Sequence, residues 1–148
     1  MATIAAIQDA LADQVYDVLC GTANSPIADL QADGRMIPSP TPPAIDVYPA
    51  DPFVEPMSFG SPENVYMYLT VRARVTTADN EAGQDLLLSM MDPSASTSVA
   101  QAIMSDKTLG GVVRKLNVTA GPSAFGVFED TGGDGNLLGC TWTVWIVR

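Results

Sequence analysis

The side chains that most often carry chemistry are scarce in this 148-residue chain, which has no histidine, two cysteines, seven basic residues and seventeen acidic ones. Without histidine, the Ser-His-Asp and Cys-His arrangements are excluded, and with them the commonest general base and metal ligand. Cys20 and Cys140 alone cannot complete a four-ligand zinc site of the usual types. Neither Lys107 nor Lys115 follows the glycine spacing of a phosphate-binding loop. The run Asp130 to Asn136 has a superficial likeness to a calcium loop. However, Gly132 stands at the third ligand position and Thr141 where the twelfth-position glutamate belongs, so a hairpin turn is the better reading. Paired carboxylates are the remaining catalytic option, and no flanking pattern singles out an acid and a base. The expectation is a protein that is not an enzyme, with no catalytic residue, no cofactor and no metal.

Charge points the same way. A formal charge of −10 with seven scattered Lys and Arg offers no basic patch for tight nucleic-acid binding, although an acidic surface could repel DNA. No run of about 20 apolar residues is present to span a membrane. Met1-Ala2-Thr3 lacks the start of a secretory signal, so Asn117-Val118-Thr119 reads as a chance match to a glycosylation acceptor. The two cysteines read as reduced, buried thiols; a disulfide between them is not legible from spacing.

The elements that must position any working surface can be read from periodicity. Ile4, Ile7, Leu11, Val15, Val18 and Leu19 recur at helical spacing from Thr3 to Cys20, and Gly21 supplies a stop. Asp9, Asp13 and Asp17 form an i, i+4 column on another face, either solvated or turned toward a basic partner or a repelled anion. Nine of the eleven prolines lie between Ser25 and Asn64, with Ala44 to Tyr48 a short edge-strand candidate among them. Because this stretch also carries Met36, Phe53, Met57 and Phe59, it predicts an ordered contact arm over 24–64 rather than a linker.

Val65 to Thr76 alternates strictly. Val65, Met67, Leu69, Val71, Ala73 and Val75 make a core face, and Tyr66, Tyr68, Arg72 and Arg74 on the other face are interface types. Asp79 can cap a helix over about 80–91, in which Gly83 sits either against a sheet or on the surface. Ser98 with Gln101 predicts a capping box for a short third helix, closed by Gly110-Gly111. Val112 to Thr119 and Ala124 to Phe128 predict two short strands around Gly121-Pro122. Leu137 to Val147 predicts a final strand with Leu138, Cys140, Trp142, Val144 and Ile146 inward. Trp145, on its polar side, needs cover from another subunit or from the arm. The expected fold is one α+β domain over 1–148, with helices on one face of a mainly antiparallel sheet plus the proline-rich arm.

Several segments carry a resemblance. The run NEAGQDLLLSMMDPSASTSVAQAI from Asn80 to Ile103 with DKTLGG from Asp106 to Gly111, PPAIDVYPADPF from Pro42 to Phe53, and GGDGNLLGCTWTV from Gly132 to Val144 resemble the tail terminator proteins of long-tailed phages that infect actinobacteria. The resemblance implies a small α+β subunit of a homo-oligomeric ring, typically a hexamer, that stops tail-tube growth. Its partners would be further copies of itself, the tail-tube protein and the head–tail connector or stopper, with DNA only passing through the lumen and no membrane. Its place would be the virion neck, reached from the host bacterial cytoplasm. A neck stopper or head-completion protein, and a soluble acidic binding module, are the alternative expectations. Tyr66, Tyr68, Arg72, Arg74, Trp145, Phe53 and Phe59 are the candidate contact residues, and Asp9, Asp13 and Asp17 the candidate lining of the lumen.

Overall fold

The computed structural model describes residues 3–20, 27, 29–38, 40–54, 66–76, 80–129 and 136–148. Its elements run α1 (Ile4–Leu19), β1 (Gln31–Asp33), β2 (Ala44–Val54), β3 (Tyr66–Thr76), α2 (Asn80–Met91), α3 (Val99–Met104), β4 (Lys115–Glu129) and β5 (Asn136–Val147). The five strands form one sheet in the order β1-β2-β3-β5-β4, antiparallel except for the short β1–β2 pair. Three helices cover one face, giving the α+β architecture expected from the strand and helix periods.

The alternation in β3 decides which way the sheet faces. Met67, Leu69, Val71, Ala73 and Val75 are all buried, and β5 sets Cys140, Trp142, Val144 and Ile146 beside them. Against this face α1 lays Ile7, Leu11, Val15 and Leu19, α2 lays Leu87 and Met90, and α3 lays Val99, Ala102 and Ile103. Each fully buried large aliphatic stabilises the fold by about 1.5–3 kcal/mol relative to exposure. Ile4 and Val18, expected on the same stripe of α1, are exposed. Ile4 opens the helix, whereas Val18 lies off the stripe rather than past its end, since Leu19, one residue further, is fully buried. Thr3 caps α1 by accepting from the Ala6 N–H at 3.1 Å. Ser98 likewise accepts from the Gln101 N–H at 3.2 Å, but the Gln101 amide turns to the Pro93 carbonyl, so only half of the expected capping box forms.

Gly83 belongs to the packed reading. A Cβ there would run into the Thr76 carbonyl oxygen, so glycine lets the first turn of α2 lie on the end of β3.

Two expectations are corrected. The stretch 24–64 does not run as a free arm, because 31–33 and 44–54 within it are strands of the sheet. Ala44 to Tyr48 is thus the start of an 11-residue strand in second position, not a short edge strand. Pro49 and Pro52 are tolerated because β1 ends its pairing at Asp46, leaving that flank of β2 without a partner strand among the described residues. The two short strands predicted around Gly121-Pro122 are one strand, β4, whose register against β5 slips between Val118 and Gly126. Gly121 is needed inside it. Its φ is +119°, and a Cβ would sit 2.8 Å from the Thr141 carbonyl oxygen. The expectations for Gly21, Phe59, Val65, Asp79 and the 131–135 turn lie outside the described residues, as does the side chain of Phe53 on β2.

Candidate interaction surface

The sheet face turned away from the helices gathers Tyr66, Tyr68, Arg72, Arg74 and Trp145 in one place, and it falls into two unlike halves. Cross-strand register fixes its rows: Asp46 beside Arg72 beside Thr141, Tyr48 beside Thr70 beside Thr143, and Tyr68 beside Trp145 beside Asn117. No described helix packs on this face.

At the Arg72–Arg74 end the face is closed. Asp46, fully buried, accepts from Arg72 Nε at 3.0 Å, from Arg74 at 3.2 Å and from the Ile37 backbone N–H at 3.0 Å. Arg74 also donates to the Ile37 carbonyl at 2.6 Å, so the strap through Ile37 is tied down over the sheet. The Arg72 guanidinium lies 5.1 Å from the Tyr48 ring and 5.7 Å from the Phe128 ring, within cation–π range of both. Burial pushes the Tyr48 hydroxyl above its ordinary pKa, Asp46 adds to the rise, and Arg72 partly offsets it. Gly139, level with Arg74, completes the packing. A Cβ there would lie 2.5 Å from the Ala73 carbonyl oxygen and 3.0 Å from both Arg74 Cγ and Phe128 Cδ2.

This corrects the sequence reading of Arg72 and Arg74 as contact residues. Arg74 is 2% exposed, and both arginines serve an internal ion cluster. The two positive charges on one carboxylate were invisible because the partner is Asp46, on a different strand. The available signal was a lone charged residue in the otherwise apolar run Ala44-Ile45-Asp46-Val47.

At the Tyr66–Tyr68 end the face stays open among the described residues. Tyr66 and Trp145 approach at 5.6 Å between ring centroids with their planes tilted by 34°. Lys115 Nζ stands 6.0 Å from the Trp145 ring. Tyr68, Thr70, Thr143 and Trp145 are half-buried, and Lys115 and Asn117 are exposed. The predicted need of Trp145 for cover is therefore met in part by a neighbouring strand.

The acidic column of α1 is also divided. Asp9, Asp13 and Asp17 are all exposed, as a helix face opposite the core must be. Asp9 pairs with Arg35 at 2.9 Å, an exposed bridge worth about 0–1 kcal/mol. Asp13 and Asp17 instead line a groove of about 410 Å³ between α1 and the segment after α3, together with Ala10, Gln14, Val18, Ser105 and Leu109. Gln14 holds that groove's floor by donating to the carbonyls of Ile103 at 2.7 Å and Asp106 at 3.1 Å.

Cys20 and Cys140 form no disulfide, and burial pushes the Cys140 pKa up to about 12. Among the described residues no group of three or more acidic or thiol side chains is placed to hold a metal ion, and no helix is long and apolar enough to cross a membrane. The groove beside α1 brings no base beside a nucleophile among its described lining residues. No protein-family model matches the chain, and no curated protein matches it significantly.

Proposed function

We propose that this chain is a structural subunit that works by non-covalent assembly, as a tail terminator of a long-tailed phage. The observation that carries the assembly reading is the open half of the outer sheet face. There Tyr66, Tyr68 and Trp145 lie side by side with Lys115 at the margin. Half-exposed aromatics gathered on a flat face are the residue types that dominate contact energetics, because they bury large area at little entropic cost. The narrower reading rests on the segments resembling tail terminators, which correspond to α2 with α3, to most of β2, and to the first three-quarters of β5. They are scaffold elements, and the activity they support is shape rather than bond-making.

In this reading the subunits form a ring on the last ring of the tail tube. The ring halts elongation and presents its other side to the head connector or stopper. The acidic balance of the chain suits a neck through which DNA slides, since carboxylates repel phosphates. The subunit would occupy the virion neck after assembly in the host cytoplasm. Electron microscopy of particles assembled without this chain tests the proposal. Overlong tails, or finished tails unjoined to filled heads, are the expected result. Normal virions would overturn it, and complete tails beside leaking heads would instead favour a head-completion role.

A further inference from the structure

The two outward sides of the molecule differ in charge. Of the carboxylates in the described cross-strand rows on the open side of the sheet, Asp46 is buried beneath two guanidiniums, and Asp33 stands beside it on β1, the edge strand opposite the one that carries Lys115. On that side Lys115 is exposed and takes part in no ion pair among the described residues. On the helical side, Asp13 and Asp17 are exposed at the rim of an apolar-floored groove and likewise enter no described ion pair. In a chain of net charge −10, copies repel one another in most orientations. A contact that sets groove against groove would gather four carboxylates, and one that sets open face against open face would oppose like charges. Only a head-to-tail contact pairs opposite signs, and it also covers Trp145 and Tyr68 with the apolar Val18 and Leu109.

We propose that the open half of the sheet, centred on Tyr68, Trp145 and Lys115, docks onto the α1–α3 groove of a second copy of this chain. This rests on the assembly reading above and names the surfaces that carry it. Such a contact leaves one groove and one face unused at the ends of the pair. Further copies therefore add in the same sense, and the rotation per copy decides whether the series closes. Asp13 and Asp17 then serve contacts between copies rather than lining a lumen.

Sedimentation velocity of the full chain, taken from micromolar to millimolar concentration, tests this with two charge-reversed variants. One is Asp13→Lys with Asp17→Lys; the other is Lys115→Glu with Asn117→Glu. All four positions are exposed, and circular dichroism with a thermal melt checks that each variant folds. The wild type is expected to associate, and each variant alone to do so about tenfold more weakly or worse, because like charges then meet. An equimolar mixture of the two is expected to recover association, since every groove again finds a face of opposite sign. The milder Asp17→Asn and Lys115→Gln changes, expected to weaken association about threefold each, keep the test decisive if a reversal misfolds. A wild type that stays monomeric overturns the contact, and the end-capping reading then stands or falls on the particle morphology. Wild-type association that is unchanged in both variants, or a mixture that fails to recover, overturns the groove–face pairing while leaving assembly through another surface in place.

Discussion

The two halves of the outer sheet face are built from the same strands yet behave as opposites. Around Asp46 the sheet is closed over by the strap through Ile37, two guanidiniums share one buried carboxylate, and Gly139 leaves no room for a side chain. Around Trp145 the rings are tilted to one another and half-buried, and no described helix packs on them. The arginines of β3 look like contact residues in sequence, but they hold the domain's own strap in place. Tyr68 and Tyr66, four and six residues before Arg72, stay half-buried on the outer face instead. One alternating strand is therefore sealed at one end and left half-exposed at the other. What separates the two ends is which neighbour reaches across it.

This contrast can be broken first at Asp46. Replacing it with alanine leaves Arg74 as an uncompensated buried charge, and denaturant unfolding is expected to show a loss of about 3–5 kcal/mol. A loss under about 1 kcal/mol would show that water reaches the cluster and that the closed half is not closed. Next in size is Gly139→Ala. Its methyl would press on the Ala73 carbonyl and on the Arg74 and Phe128 side chains, at an expected cost of about 1–3 kcal/mol by thermal melting. The smallest change in stability is expected at the open end. Tyr68→Ser removes a half-buried ring beside Trp145 and should cost about 1 kcal/mol or less, while weakening self-association about tenfold or more in sedimentation. Equal stability losses at Asp46 and Tyr68 would erase the distinction between the halves.

Much of the scaffold was legible in the residues. The 3.6-residue stripe of α1, the strict alternation of β3, the Ser98 cap and the inward face of β5 all appear where their periods place them. These are local signals, each decided by a side chain and its near neighbours. The contact candidates were legible only as residue types. Tyr66, Tyr68 and Trp145 do come together, whereas Arg72 and Arg74 turn inward, because their fate depends on β2 lying alongside β3 with Asp46 level with Arg72. The proline content of 24–64 misled for a related reason. Proline argues against a strand flanked on both sides, and β2 is flanked on both sides only as far as Asp46.

By itself, then, the sequence determined the class of the fold, the inward faces of its elements and the absence of histidine-based chemistry, because hydrophobic period and residue inventory are properties of the chain alone. Only the tertiary structure decided which charges cancel inside the molecule and which remain outside. Electrostatic pairing acts across space between strands distant in sequence: Asp46 meets Arg72 and Arg74 through the sheet, and Asp9 meets Arg35 beside α1, while Asp13, Asp17 and Lys115 remain outward.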